Sequence, residues 1–83
     1  MKKTIGQLCD ELCISNIRIW FAEDIKRNPN ATDAEVAKAA RITNTTNGFR
    51  NELIQAIDEE INELIISGKP QKLYKITKLH KKQ

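Results

Sequence analysis

The side chains that most often carry catalysis or bind metals are few in this sequence, and their spacing suits neither task. His80 is the only histidine and lies in a lysine-rich terminus, so the rest of the chain offers no Cys–His or Ser–His arrangement. Cys9 and Cys13 are one helical turn apart, which suits neither a disulfide between them nor the paired spacing of zinc modules. We therefore expect reduced, buried thiols, no metal and no cofactor.

The remaining candidates for chemistry are an acidic run and three isolated glycines. The run comprises Asp58, Glu59, Glu60 and Glu63. Without the Glu-x-x-His pairs of di-iron bundles, these carboxylates are typical of a solvated helix face. No group of glycines forms a phosphate-cradling loop. The sequence therefore predicts a protein that is not an enzyme.

The net charge of +3 is unevenly distributed along the chain. Residues 70–83 carry five lysines and no acidic residue, whereas residues 1–69 carry nine basic and eleven acidic residues. We interpret residues 1–69 as one domain and residues 70–83 as a basic tail. Because no apolar stretch could span a membrane or serve as a signal peptide, the sequence predicts a cytoplasmic protein with no membrane contact.

Two sets of helix signals predict an all-α hairpin. Thr4-Ile5-Gly6-Gln7 is a capping box that starts a helix, and Asn28-Pro29 ends it near residue 27. Thr32-Asp33-Ala34-Glu35 is a second capping box, and Ser67-Gly68-Lys69-Pro70 has the glycine-then-proline order of a helix end. The expected helices are residues 4–27 and 32–67, joined by a short loop in an antiparallel hairpin.

The second helix contains one weak stretch, residues 43–48, in which six consecutive poor helix formers forfeit roughly 3 to 4 kcal/mol relative to alanine. A break there is one possibility. We favour a continuous helix because an apolar stripe keeps its phase across the gap. The tail, residues 71–83, fits either a helix or a strand, so its structure stays open.

Helices of these lengths cannot cover each other. At ~1.5 Å per residue they would be about 36 and 54 Å long, so the second helix overhangs the first beyond about residue 57. The first helix also has a second apolar face, roughly opposite the one that packs in the hairpin. We therefore predict a four-helix-type homo-oligomer, with the interface formed by Ile14, Ile17, Phe21, Ile25, Ile61, Leu64 and Ile65. The folded-back tail is the other candidate to cover the overhang.

Polar residues interrupt the apolar face of both predicted helices. Asn16 projects into the face of the first, and Thr43, Thr46, Asn47 and Arg50 into that of the second. A buried polar group without a partner costs about 1 to 3 kcal/mol, so these groups need partners. In one interpretation they satisfy each other, with Asn16 between Thr43 and Asn47 and with Arg50 paired to Asp10, and so fix the register.

In the second interpretation, the polar layer holds a small anionic ligand or a partner protein. Arg50 would bind the anion, the side-chain amides of the asparagines would form hydrogen bonds with the ligand, and the Trp20 indole would stack on it. The predicted ligand-binding residues are Asn16, Trp20, Thr43, Asn47 and Arg50.

Residues 33–46, Asp-Ala-Glu-Val-Ala-Lys-Ala-Ala-Arg-Ile-Thr-Asn-Thr-Thr, resemble the first helix, turn and recognition-helix start of a helix-turn-helix protein. The segment concerned extends over residues 33–53. Arg41 stands where that family usually has a glycine, and Asn47 where it needs an apolar anchor. The resemblance implies an alternative function as a DNA-binding regulator, with the lysine tail on phosphates and a groove-facing set of Thr43, Asn44, Thr45 and Arg50.

Three runs in the chain are similar to short bacterial and phage helical proteins without an assigned activity. They are Thr-Ile-Gly-Gln-Leu-Cys-Asp-Glu-Leu at residues 4–12, Ser-Asn-Ile-Arg-Ile-Trp at residues 15–20 and Arg-Asn-Glu-Leu-Ile at residues 50–54. The resemblance implies a hairpin and no catalytic residues. The function predicted from the sequence is thus binding without catalysis, with the chain itself as the first partner.

Overall fold

The computed structural model describes residues 2–74 as two helices, α1 (Ile5–Arg27) and α2 (Asp33–Ser67), that pack against each other in an antiparallel hairpin. The predicted all-α hairpin is confirmed, and each helix boundary lies within one residue of the predicted position. Residues 28–32 form the connection, in which the Asn28 side chain accepts a 2.9 Å hydrogen bond from the Asn30 amide. The Asn28 amide donates a 3.1 Å hydrogen bond to the Ile25 carbonyl, one of the groups that the end of α1 leaves free.

Both predicted capping boxes are present at the helix N-termini. Thr4 Oγ1 accepts a 3.1 Å hydrogen bond from the Gln7 amide, and Gln7 Oε1 accepts a 2.9 Å bond from the Thr4 amide. Thr32 and Glu35 form the same pair of bonds at 3.1 and 2.7 Å. Helix α2 ends at Ser67 and is capped by Gly68. The φ of Gly68 is 66°, a left-handed conformation that glycine adopts without a Cβ clash.

The weak stretch of α2 is helical throughout, so the prediction of a continuous helix is confirmed. Thr43 and Thr46 are buried against α1, and this tertiary packing outweighs their low helix propensity. The helix-turn-helix alternative for residues 33–53 requires a turn, whereas these residues form one uninterrupted helix.

The helices meet along a seam with alternating spacings of three and four residues, as in a coiled coil. On α1 it comprises the buried or half-buried residues Ile5, Leu8, Leu12, Ser15, Ile19 and Ala22. On α2 it comprises Val36, Ala39, Thr43, Thr46, Arg50, Leu53, Ile57, Glu60 and Leu64. The most buried members are mostly small, so the core of a single hairpin contains little apolar volume.

Three residues beside the seam of α1, two of them the thiols predicted to be buried, lie outside it. Cys9, Cys13 and Trp20 are exposed, so the expectation of buried thiols was wrong. The physical reason is that a contact between two helices buries only a narrow stripe of positions three and four residues apart, whereas the helical wheel groups a broader arc with that stripe. Positions that the wheel groups with the seam therefore fall on its flank.

Candidate assembly surface and polar contacts

Arg50 and Asn16 form the polar contact across the seam. Arg50 Nε donates a 2.7 Å hydrogen bond to Asn16 Oδ1, and the Arg50 side chain is half-buried whereas Asn16 is exposed at the edge of the seam. The predicted Arg50–Asp10 pair is not among the ion pairs of residues 2–74, and the hydrogen-bond partner of Asn16 is Arg50 instead of the predicted Thr43 and Asn47.

The other predicted ligand-binding residues do not converge around this contact. Thr43 is buried in the seam, whereas Asn47 and Trp20 are exposed. The Trp20 ring contacts Phe21 edge-on, at a centroid distance of 5.3 Å. Of the five residues, the structure therefore brings Asn16 and Arg50 into a hydrogen bond. The ligand-binding role of the set stays a prediction.

The Thr43 hydroxyl is buried and makes no hydrogen bond within residues 2–74. The Glu23 carboxyl has a lowered pKa, chiefly because Lys26 Nζ donates a 3.0 Å hydrogen bond to it, with Thr43 a minor influence. The Thr43 hydroxyl is thus close to that carboxylate without reaching bonding geometry. A buried hydroxyl without a hydrogen-bond partner carries a free-energy cost.

Large apolar side chains remain uncovered on the outer side of α1. Four of them recur at helical spacing and are between 42% and 57% exposed: Ile14, Ile17, Phe21 and Ile25. Together with Arg18 and Ala22 of α1 and Ile42 of α2, they line an open groove of about 350 Å³. Here we call the side of the hairpin that carries this groove the lateral face.

A basic groove adjoins the apolar groove on the lateral face. It has a volume of about 520 Å³ and is lined by Arg18, Lys38, Arg41, Ile42, Thr45 and Thr46. Arg18 and Ile42 line both grooves, so the two are continuous. None of the three cationic side chains takes part in an ion pair within residues 2–74. The lateral face therefore presents apolar surface beside uncompensated positive charge.

The open end of the hairpin is closed by the residues that follow α2. Gln71 Oε1 accepts a 3.1 Å hydrogen bond from the Ile5 amide, and Gln71 Nε2 donates a 3.3 Å bond to Glu60. Lys2 Nζ lies 2.8 Å from Glu60 Oε2, and this hydrogen bond with its charge attraction raises the pKa of Lys2. Leu64 is half-buried here, beside a groove of about 690 Å³ that Gln71 and Leu73 also line.

The returning segment covers only part of the overhang that the sequence predicted. Ile61 stays exposed, and Ile65 and Ile66 are 74% and 85% exposed. Of the seven predicted interface residues, six are therefore exposed in a single hairpin, and Leu64 is half-buried at its open end. Residues 75–83, which carry His80 and most of the basic tail, lie outside the described residues.

Within residues 2–74, no group of three or more His, Cys, Asp or Glu side chains is placed to hold a metal ion. Over the same residues, neither helix has a stretch long and apolar enough to cross a bilayer. The exposed apolar surface of residues 2–74 lies on the lateral face and at the uncovered end of α2.

A family model described as a protein of unknown function (DUF4254) matches residues 6–78. The chain belongs to this family. No curated protein and no solved structure gives a significant match. The DUF4254 match covers both helices and the segment after α2 and carries no description of activity. It supplies neither the helix-turn-helix relationship nor the phage relationship that the sequence suggested.

Sequence analysis missed the basic groove of the lateral face. Lys38 and Arg41 are three residues apart and so share a helix face, a signal that the sequence contains. The third cation, Arg18, joins them from the other helix, and only the packing of α1 on α2 reveals that.

Proposed function

We propose that this protein acts by binding without catalysis and that its working form is a homo-oligomer of helical hairpins. The observation that carries the proposal is the uncovered row of Ile14, Ile17, Phe21 and Ile25 on α1. Full burial of each such side chain contributes about 1.5 to 3 kcal/mol. A row of four at helical spacing is the pattern by which helices recognise other helices.

The thin core of the hairpin supports a second copy of the chain as the occupant of this row. Leu8, Ala22, Ala39 and Leu53 are the buried apolar residues of the described chain. Chains of this length commonly need oligomerisation, metals or disulfides to supplement a small core. Both cysteines are free thiols, and residues 2–74 contain no metal-binding group. Pairing of hairpins into a four-helix arrangement supplies the missing apolar volume.

A cytoplasmic site of action is part of the same proposal, since exposed thiols such as those of Cys9 and Cys13 stay reduced in that compartment. An anionic ligand at Asn16 and Arg50 remains a prediction with one supporting contact. DNA binding through the tail falls on residues that the structure does not describe.

The decisive experiment is the solution mass of the 83-residue chain across a range of concentrations, measured by sedimentation. We expect the native chain to have a mass above that of one hairpin. The variant Ile17→Glu with Phe21→Glu should sediment as a monomer, because it places two charges in a desolvated interface. Circular dichroism checks that the helices are retained.

The matched control adds the same two charges elsewhere, as Asn51→Glu with Asn62→Glu at exposed positions of α2 outside the lateral face. We expect this control to keep the native mass. A native chain that is monomeric at every concentration would overturn the proposal, as would unchanged assembly of the Ile17→Glu, Phe21→Glu variant.

A further inference from the structure

Charged residues on the lateral side of α2 are ordered by sign along the helix. Lys38 and Arg41, near its N-terminal end, line the basic groove. Glu52, Glu59 and Glu63 follow toward the C-terminal end, and Phe49 lies near the middle. A spacing in multiples of seven residues relates Lys38, Glu52 and Glu59, and the same spacing relates Ile42, Phe49 and Glu63. Residues seven apart lie on the same side of a helix, so each set forms a line along α2, and the two lines adjoin.

These charges take no part in the ion pairs of the hairpin, and Glu63 has Lys2 near it, whose pKa its charge helps to raise. Lys38, Arg41, Glu52, Glu59 and Glu63 are all exposed, and the ion pairs of residues 2–74 involve other acidic and basic groups. Glu59 accepts a hydrogen bond from the neutral Gln55 amide. The basic end and the acidic end are both available to an external partner of opposite charge.

We propose that the lateral face pairs two copies of this chain about a two-fold axis, with their α2 helices antiparallel and crossing near Phe49. In this register Lys38 of each copy faces Glu63 of the other, and Arg41 comes within reach of Glu59. We call the line of charges from Lys38 to Glu63 the stripe. Because its basic residues lie at one end and its acidic residues at the other, the stripe of one copy is complementary to that of a second copy running in the opposite direction, as an isologous interface requires. A parallel pairing would instead place like charges together. This inference specifies the surface and register of the proposed homo-oligomer, and so rests on it.

The apolar part of the lateral face fits the same arrangement. Ile42 and the half-exposed Phe49 lie on the paired side of α2, and Ile42 borders the groove lined by Ile17 and Phe21 of α1. Antiparallel pairing of the α2 helices brings the loop end of one hairpin beside the open end of the other. The overhang of each α2 then lies alongside its partner's α1, where the exposed Ile66 gains an apolar neighbour.

A charge-exchange experiment tests the register. The acidic variant, Lys38→Glu with Arg41→Glu, makes both ends of the stripe negative, and the basic variant, Glu59→Lys with Glu63→Lys, makes both ends positive. We expect each variant alone to raise the dimer dissociation constant at least about tenfold at low ionic strength. An equimolar mixture of the two should form a heterodimer, because each end then meets its opposite charge.

Recovery on mixing separates loss of the interface from loss of folding, since two unfolded variants cannot restore each other. The single chain that carries all four substitutions should also dimerise. Asp58→Lys is the matched control, because it reverses an exposed acid of the same overhang that points away from the stripe. It should leave the dissociation constant within about twofold of the native value.

The outcomes distinguish this inference from the broader proposal. A native chain that is monomeric would end both. A native oligomer that is unaffected by either reversal would overturn the register while homo-oligomerisation stands. Variants that dissociate separately and stay monomeric when mixed would also overturn it, and would show that the basic groove serves a different anionic partner.

Discussion

Arg50 and Asn16 are separated by 34 positions in the chain, and a 2.7 Å hydrogen bond from Arg50 Nε to Asn16 Oδ1 joins them across the two helices. This bond lies at the edge of the seam, where it ties the middle of α2 to the middle of α1. Because it is a contact between residues distant in the chain, it tests the register of the hairpin directly.

A double-mutant cycle with Arg50→Ala and Asn16→Ala should reveal a coupling free energy of about 0.5 to 1.5 kcal/mol in chemical unfolding. Each single change removes the same hydrogen bond, so the double variant should lose less stability than the two single losses combined. Asp10→Asn combined with Arg50→Ala is the control and should be additive. Additive losses for Asn16 and Arg50 would mean that the bond does not form in solution.

The unpaired hydroxyl of Thr43 predicts a stabilising substitution. Thr43→Val replaces a buried oxygen that has no hydrogen-bond partner with a methyl group of similar size. We expect the free energy of unfolding to rise by about 1 kcal/mol, measured by denaturant titration. The control compares Asn44→Thr with Asn44→Val at an exposed position outside the lateral face, which isolates the difference in helix propensity between threonine and valine and should be small. A loss of stability in Thr43→Val would show that the hydroxyl has a partner in solution.

Acid should weaken the start of α2. The pKa of Glu35 is lowered from its ordinary value of 4.5, chiefly by the hydrogen bond from the Thr32 amide. A carboxylate with a lowered pKa in the folded state stabilises the fold fully above its unfolded pKa, and this contribution is lost as pH falls through the folded pKa. The stability of the native chain should therefore decline below about pH 4.5 by more than that of Glu35→Gln.

The measurement is the difference in unfolding midpoint between the native chain and Glu35→Gln, taken from about pH 7 to pH 3. Subtraction cancels the titration of the other carboxyl groups, since both chains share them. Glutamine can still accept a hydrogen bond from the Thr32 amide, so the capping geometry is retained. A difference that does not vary with pH would contradict the assigned role of Glu35.

Gln71 should protect the first turn of α1 from opening. Its Oε1 accepts a hydrogen bond from the Ile5 amide, one of the N–H groups that a helix start leaves without a partner. In Gln71→Ala, hydrogen exchange at the Ile5 amide should accelerate roughly twofold to tenfold, as expected for loss of one such bond. Lys72→Ala, an exposed neighbour, is the control. Equal exchange rates in both variants would indicate that the contact is not populated.

Local chemistry was sufficient to predict the secondary structure. Thr4 with Gln7, and Thr32 with Glu35, form capping boxes because their side chains reach backbone groups three residues away, an interaction contained within a short segment. Gly68 ends α2 because glycine takes the left-handed conformation without strain. The helix bounds, the short loop and the excess length of α2 all follow from such segments. The exposed apolar row of α1 was likewise readable from its spacing.

Tertiary packing decided which flank of each helix forms the seam and which polar groups meet. Cys9 and Cys13 fell outside the narrow stripe that the helix contact buries, and Arg50 reached Asn16 instead of Asp10 because the path of a long side chain depends on its neighbours. Arg18 joins Lys38 and Arg41 in one groove only after two distant segments have packed. Periodicity gives each helix a preferred face to within a few tens of degrees, whereas the partner helix selects the contacts within that arc.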